Sequence, residues 1–313
     1  MELPAVFIAT QNAGEYRQML RGRLDPAIEI TIAQSLSEIP ECYSGEPVVL
    51  ARPDYAVELL NIDPPLAWIQ STWAGITPLV NHPNHSYQLT GLKNIFGPQM
   101  AEYVMGYLLA HELALERRIE SQQQKRWDET YSGQLQGKVM GIMGTGSIGA
   151  HVAKIARQFG VDCLGLNTRG EPVDPFRRVF ATAALHQFLA ECDYVVSILP
   201  SVPGTDDLLD RAAFTAMKDS ALLINVGRGN VIVEQELCDA LRHNEIAGAV
   251  LDVFREEPLP DSSPLWTIPG LKITGHVAAV SRPQDIANVF IENYQRYVAG
   301  ERLNYLVDFA KGY

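Results

Sequence analysis

Cysteine is scarce in this chain of 313 residues, and the four present (Cys42, Cys163, Cys192 and Cys238) stand far apart. No Cys-x-x-Cys pair occurs and no histidine stands at ligand spacing beside one, so neither a disulfide framework nor a structural zinc site is expected. Long apolar runs are also missing. The stretch Ala5 to Ala9 is too short for a signal segment or a membrane span, and Met1-Glu2-Leu3-Pro4 carries no positive charge. Basic charge is in deficit, 25 Lys and Arg against 37 Asp and Glu, for a net charge of -12. Arg117-Arg118 and Arg177-Arg178 are isolated pairs rather than a patch. An acidic chain repels phosphate backbones and anionic bilayers, so neither nucleic acid nor membrane is expected as a partner. Repeats and low-complexity segments are absent. The expectation is a cytoplasmic protein in a reducing compartment.

What is present is ordinary globular material: 47% hydrophobic and 20% charged residues, enough for sizeable cores. The length is about twice a typical domain of roughly 150 residues, which predicts two domains. Short apolar runs alternate with amphipathic stretches. Ala5 to Ala9, Pro47 to Leu50 and Ala67 to Gln70 read as strands, with helices at Gly14 to Arg23 and Asp54 to Asn61. A long helix is expected from about Gln99 to Lys125, followed by a polar surface connection through Gly133. Six further strands are expected within Lys138–Met143, Cys163–Leu166, Tyr194–Ile198, Leu222–Val226, Ala249–Asp252 and Leu271–Thr274, and a last helix over Pro283 to Ala299. Alternating strands and helices predict parallel sheets with helices on both faces, and six strands suit a complete dinucleotide-binding sheet.

Gly144-Thr145-Gly146-Ser147-Ile148-Gly149 matches G-x-G-x-x-G, between a strand and a segment with helical periodicity. Gly144 permits the tight turn, Gly146 lets backbone approach a pyrophosphate, and Gly149 lets the helix pack on the strand. The helix N-terminus then offers free N–H groups to the phosphates. The end of the next strand, where an acidic residue normally binds the ribose 2′-hydroxyl, carries Asn167, followed by Thr168 and Arg169. A missing carboxylate beside a guanidinium suits a 2′-phosphate, so NADP(H) is favoured over NAD(H). A solvated Arg169 that discriminates neither cofactor is the alternative.

Three motifs follow later strands: Asn225-Val226-Gly227-Arg228-Gly229, Asp252-Val253-Phe254-Arg255-Glu256-Glu257-Pro258, and Gly275-His276-Val277-Ala278-Ala279. Ligands of open α/β sheets bind beyond the carboxyl ends of strands, so an Arg, a Glu and a His should meet at one edge. Reduction of a ketone leaves an alkoxide that needs a proton, which a histidine supplies. A carboxylate beside that histidine fixes its ring and favours the protonated form. A guanidinium grips a substrate carboxylate through two hydrogen bonds. Arg228, Glu257 and His276 form that set, with Glu256 competing for the place of Glu257.

On these residues, with Leu199-Pro200 and Ser263-Pro264-Leu265-Trp266, nearly the whole chain resembles the D-isomer-specific 2-hydroxyacid dehydrogenase family, in its glyoxylate/hydroxypyruvate reductase-like branch. The resemblance implies two doubly wound parallel-sheet (Rossmann-like) domains. A dinucleotide-binding domain, 101–281, is inserted into a flavodoxin-like substrate domain, 1–100 and 282–313, with a catalytic cleft between them. It implies that Arg228 binds the substrate carboxylate and that His276, paired with Glu257, is the acid/base. It further implies that Ser71 to Ile76, with Trp73, Ala74 and Gly75, presents N–H groups to that carboxylate. Asp252 would contact the nicotinamide carboxamide, and Leu199 and Pro200 would line the adenine side. A homodimer with the helix from about Gln99 at its interface is implied as well.

Two departures stand out. Gly275 precedes the histidine where the family usually has proline, an expectation of a looser loop, and Asn167 replaces the usual aspartate. Trp73 either narrows the pocket towards small keto acids or packs against the domain edge. The reading is a reductase of a small 2-keto acid, such as glyoxylate or hydroxypyruvate, to the D-2-hydroxy acid. A phosphoglycerate-type dehydrogenase and a non-enzymatic dinucleotide sensor are the alternatives; a formate dehydrogenase is disfavoured because that branch carries Gln where Glu257 stands.

Overall fold

The computed structural model describes residues 3–202 and 204–310, so Met1 and Glu2 of the N-terminal reading lie outside the described residues. The chain divides into two compact units, Met1–Ile95 with Ser281–Tyr313, and Phe96–Val280.

The first unit runs β1 (Val6–Ala9), α1 (Ala13–Arg21), β2 (Ile30–Ala33), α2 (Ile39–Cys42), β3 (Val48–Ala51), α3 (Pro53–Leu60), β4 (Trp68–Ser71), α4 (Thr77–Val80) and β5 (Gln88–Thr90). Its strands are all parallel in the order β2-β1-β3-β4-β5, the flavodoxin-like winding. β1, β3 and β4 are buried at every position, as expected for central strands covered by helices on both faces. β2 and β5 are not visible in the hydropathy pattern. They are edge strands, one carrying the half-buried Thr31, the other three residues long with an exposed Gln88.

The second unit opens with α5 (Gly97–Glu112) and α6 (Leu115–Gln123). It continues through β6 (Val139–Met143), α7 (Ser147–Gln158), β7 (Asp162–Asn167), β8 (Arg178–Ala181), α8 (Leu185–Glu191), β9 (Tyr194–Ser197), α9 (Arg211–Ala216), β10 (Leu222–Asn225), α10 (Glu234–Arg242), β11 (Gly248–Leu251) and β12 (Leu271–Ile273). The parallel order is β12-β11-β10-β9-β6-β7-β8. This is the doubly wound dinucleotide-binding order with one strand beyond the classical six; β8, at the edge and with its first residue exposed, is the strand the sequence pattern does not reveal. Successive residues serve opposite faces. Met143, Leu164, Val195, Leu223 and Leu251 belong to one core, and Met140, Ile142, Cys163, Tyr194 and Ile224 to the other. Met143, Ser197, Asn225, Leu251 and Ile273 are in register across the sheet. The loops after β6, β9, β10, β11 and β12 therefore leave from one edge.

The single helix expected over Gln99–Lys125 is two helices. Its buried stripe of Met100, Val104 and Leu108 ends before the break, and Leu113, Leu115 and Ile119 are exposed. Ala114 adopts a left-handed φ of 48°. Arg118 Nε donates to the Leu113 carbonyl at 3.0 Å, and its Nη2 donates to the Thr130 carbonyl at 2.8 Å. A guanidinium thus satisfies the helix end that the apolar stripe no longer supports. No helix among the described residues is long and apolar enough to cross a membrane.

The chain returns to the first unit through α11 (Pro283–Val298), which packs on α1. Phe290 stacks on Trp68 with ring centroids 5.2 Å apart. Beside them runs a buried polar chain. Trp68 Nε1 donates to Thr90 Oγ1 at 2.7 Å, Thr90 Oγ1 donates to Gln70 Oε1 at 2.8 Å, and Asn293 Nδ2 donates to Gln70 Oε1 and to the Asn304 carbonyl at 3.2 and 3.1 Å. The Asn304 amide returns a bond to Asn293 Oδ1 at 2.8 Å. Buried polar groups are tolerated only when satisfied in this way. Asn293→Ala should therefore cost about 2–3 kcal/mol in urea unfolding, whereas a loss near zero would mean that the network contributes nothing to holding α11.

Candidate active site

The glycine loop leaves β6 at the point where the strand order reverses, the usual ligand position in such sheets. Gly144 has a φ of 108°, a conformation that side chains rarely adopt. A Cβ on Gly149 would stand 2.0 Å from the Gly144 carbonyl oxygen, so α7 can lie on this strand only with glycine there. A Cβ on Gly146 would meet nothing within 4 Å, and α7 has no side-chain cap. Thr145, exposed Ser147 and Ile148 thus sit around an open cradle of first-turn N–H groups suited to an anion. A pyrophosphate fits this loop.

Asn167 stands at the end of β7 and reaches the loop. Its Nδ2 donates to Thr145 Oγ1 at 3.1 Å, while its Oδ1 accepts from the amides of Arg169 and Gly170 at 3.2 and 2.7 Å. Thr168 is exposed, and Arg169 extends into solvent beside Glu171 at 3.4 Å. Leu199 and Pro200 follow β9. A Cβ on Gly227 would come within 2.6 Å of the Leu199 carbonyl oxygen, so Leu199 lies hard against the turn that precedes Arg228.

Arg228, Glu257 and His276 follow β10, β11 and β12, three neighbouring strands. His276 Nδ1 lies 2.8 Å from Glu257 Oε2, and Glu257 Oε1 accepts the Phe254 amide at 2.9 Å. The structure selects Glu257 over Glu256 for this place. Arg228 is half-buried, and its Nη1 donates to the Gly227 carbonyl at 2.7 Å. Among the described residues it has no salt-bridge partner, and burial pushes the guanidinium below its ordinary pKa. A desolvated, unpaired cation is a receptor for an anion. The turn after it is fixed by contact. A Cβ on Gly229 would fall 2.0 Å from the Phe254 backbone, and Arg255 Nε donates to the Ile232 carbonyl at 2.9 Å.

Asp252, next after β11, is tied to the histidine loop. It is 1% exposed, and both carboxylate oxygens face the histidine loop. Oδ1 accepts from Thr274 Oγ1 at 2.6 Å and from the Val277 amide at 2.9 Å; Oδ2 accepts from the Ala278 amide at 2.9 Å. These three bonds anchor the loop that carries His276. Since the carboxylate can only accept, Thr274 donates to it, and Thr274 Oγ1 receives the Tyr103 hydroxyl from α5 at 2.6 Å. Gln99 clasps Val280, accepting its amide at 3.2 Å and donating to its carbonyl at 3.1 Å. These tethers hold His276 at a left-handed φ of 55°, with Gly275 in open space. Arg255, Thr274, Tyr103 and Gln99 are the site-supporting residues that sequence reasoning missed. Arg255, inside the Glu257 motif, and Thr274, next to the histidine motif, carried a positional signal; Tyr103 and Gln99 carried none.

The expected substrate loop belongs to the first unit and follows β4. Trp73 and Ala74 are exposed and Gly75 is half-buried. Ser71 Oγ accepts the Trp73 amide at 3.1 Å and donates to its carbonyl at 2.8 Å, which closes a tight turn. Among the described residues no group of three or more His, Cys, Asp or Glu side chains is placed to hold a metal ion.

Comparison with known proteins agrees with this geometry. A sequence model described as D-isomer specific 2-hydroxyacid dehydrogenase, NAD binding domain, matches residues 105–278. Glyoxylate/hydroxypyruvate reductase A of Yersinia enterocolitica is 32% identical over 69% of this chain and 69% of its own. The crystal structure of a D-isomer specific 2-hydroxyacid dehydrogenase family protein from Aeromonas salmonicida is 38% identical, covers 99% of this chain and 100% of its own, and superposes with a TM-score of 0.91. A D-isomer specific 2-hydroxyacid dehydrogenase from Xanthobacter autotrophicus Py2, solved with NADPH and MES, is 27% identical over 99% of this chain and 100% of its own, with a TM-score of 0.87.

Thr274→Val removes a hydrogen bond to a buried charge and should destabilise the protein by about 1.5–3 kcal/mol. Amide hydrogen exchange at Val277 and Ala278 should quicken selectively. Unaltered exchange there would show that Asp252 holds the loop without Thr274.

Proposed function

The chain belongs to the D-isomer specific 2-hydroxyacid dehydrogenase family, and from that premise we propose that it reduces a small 2-keto acid of the glyoxylate or hydroxypyruvate kind, using NADP(H) in preference to NAD(H). The observation that carries this reading is the trio at neighbouring strand ends: an unpaired, half-buried Arg228 and a His276 whose Nδ1 lies 2.8 Å from Glu257. The relative named glyoxylate/hydroxypyruvate reductase A supports the substrate class.

The first-turn N–H groups of α7 and the open face of Gly146 would hold the dinucleotide pyrophosphate. When bound, the reduced nicotinamide supplies a hydride for the carbonyl carbon of the keto acid. Arg228 holds the substrate carboxylate through its fork, and its charge draws electron density towards the carbonyl oxygen. In the imidazolium form of His276, Nδ1–H is given to Glu257 and Nε2–H is directed outward. Proton transfer from Nε2 to the carbonyl oxygen completes the hydroxy acid. Glu257, itself fixed by the Phe254 amide, keeps the ring oriented through the transfer. In the turn Ser71 to Ile76 the Trp73 amide is engaged by Ser71 Oγ, so the backbone N–H groups of Ala74 and Gly75 would be the donors added to the carboxylate.

Support for NADP(H) comes from the ribose end. No carboxylate ends β7, the Asn167 amide is engaged by its own loop, and Arg169 is 79% exposed, with Glu171 at 3.4 Å its one ion-pair neighbour among the described residues. The NADPH held by the Xanthobacter relative points the same way. The four cysteines are unpaired, which suits a reducing, cytoplasmic setting. A homodimer is supported by exposed apolar residues in the stretch after α5: Leu113, Leu115 and Ile119 are exposed, with Trp127 at 88% and Tyr131 at 98%. So many large apolar side chains left to water within one short stretch of chain suit an interface.

Oxidation of NADPH followed at its nicotinamide absorbance should show turnover of glyoxylate or hydroxypyruvate, with lower kcat/KM for NADH. His276→Ala and Arg228→Ala should each lose at least about 100-fold in kcat/KM while still binding NADPH. Full turnover in both variants would refute the assignment. Arg169→Ala should reduce the NADPH preference about tenfold or more, and an unchanged ratio would return Arg169 to the role of a solvated loop residue. Light scattering should give twice the chain mass, falling to one chain for a Trp127→Ser, Tyr131→Ser double variant.

A further inference from the structure

The first unit holds an arrangement that the proposed reaction does not itself call for. Arg52 follows β3 directly, and Trp73 lies two residues beyond β4, the neighbouring strand. The guanidinium carbon of Arg52 stands 5.3 Å from the centroid of the Trp73 ring and 4.9 Å from that of Tyr55. Both distances lie within cation–π range. Arg52 is itself locked. Its Nε donates to Asp54 Oδ1 at 2.6 Å and its Nη2 to Asp54 Oδ2, a two-pronged pair at the start of α3. Tyr55 beneath it is buried, and its hydroxyl donates to the Gln34 carbonyl at 3.0 Å. The backbone under Trp73 is fixed as well, by the reciprocal bonds to Ser71 Oγ.

These contacts leave a large indole 49% exposed, restrained from the backbone by Ser71 and at the ring by a charged plane that is not free to turn. Trp266 is exposed to a similar degree, at 51%, but the cation–π contact with Arg52 sets the Trp73 ring apart. This one is presented. Because Asp54 takes two of the Arg52 donors and offsets its charge, the pair offers an apolar ring rather than a second anion receptor. We propose that Arg52 is a positioning residue for substrate selection. It holds Trp73 as a wall beside the substrate loop, admitting hydrogen or hydroxymethyl next to the keto carbon and excluding branched, aromatic or phosphorylated substituents. This inference rests on the proposed role of the Ser71–Ile76 turn in meeting the substrate carboxylate.

The test compares kcat/KM for glyoxylate with that for the bulkier 4-methyl-2-oxopentanoate in wild type, Trp73→Ala, Arg52→Gln and Arg52→Lys. Trp73→Ala should raise the bulky-to-small ratio about tenfold or more, the scale set by a few methylenes in a pocket. Arg52→Gln should raise it about two- to fivefold, the scale of one cation–π contact, and Arg52→Lys should fall between. A purely structural role would lower both substrates together and leave the ratio unchanged, and that result overturns the proposal. A second readout needs no turnover. Of the four tryptophans, the Trp73 contribution is isolated by difference against Trp73→Phe, and its acrylamide quenching should increase in Arg52→Gln. Unchanged quenching would show that Arg52 does not hold the ring. Failure of wild type to reduce any 2-keto acid would instead sink the proposed reaction, and quenching would still decide whether the clamp exists.

Discussion

The buried carboxylate of Asp252 is the constraint on which the chemistry depends. A carboxylate at 1% exposure is tolerable only if its oxygens are met by donors. Here the donors are the Thr274 hydroxyl and the amides of Val277 and Ala278, so satisfying one buried charge dictates the path of the chain around His276. The left-handed backbone of that histidine is a local cost of about 1–3 kcal/mol, offset by the bonds on either side of it. From that backbone its ring meets Glu257, with Nδ1 2.8 Å from Oε2.

The same economy of position recurs across the sheet edge. In-register parallel strands deliver the Arg, Glu and His loops side by side, and missing side chains let them touch. Glycine at 229 allows the Arg228 turn to rest on the backbone of the Glu257 loop, and Arg255 bridges the two. Leu199 is pressed on Gly227 in the same manner, which couples the loop after β9 to the arginine turn. The glycines of the phosphate loop serve a different end. One permits the turn, one permits helix packing, and Gly146 leaves a face open.

Much of this was legible in the sequence because it rests on local signals. Apolar runs ended in motifs, and the spacing of Arg228, Glu257 and His276 behind three such runs placed them on adjacent strands. The flavodoxin-like and dinucleotide-binding windings were legible by resemblance. What stayed hidden has physical reasons. β2, β5 and β8 lie at sheet edges, where burial on both faces is not required and hydropathy says little. Tyr103 sat on an apolar helical stripe, and periodicity cannot distinguish a core tyrosine from one whose hydroxyl supports Thr274. The two carboxylates Glu256 and Glu257 differ only in where the backbone aims them. The break at Ala114 depends on Arg118 reaching back to a carbonyl, a contact without sequence signature.

One unit is made of a continuous stretch of chain, while the other needs both ends. On a ribosome, β1 to β5 emerge long before α11, which covers Trp68 and completes the polar chain through Asn293. At ordinary synthesis rates the interval is about 10–40 s. For that time a parallel sheet waits with part of one face bare, while the intervening stretch is free to fold on its own. The brevity of β5, three residues with Gln88 exposed, gives the waiting sheet one poor edge for pairing with a neighbouring nascent chain.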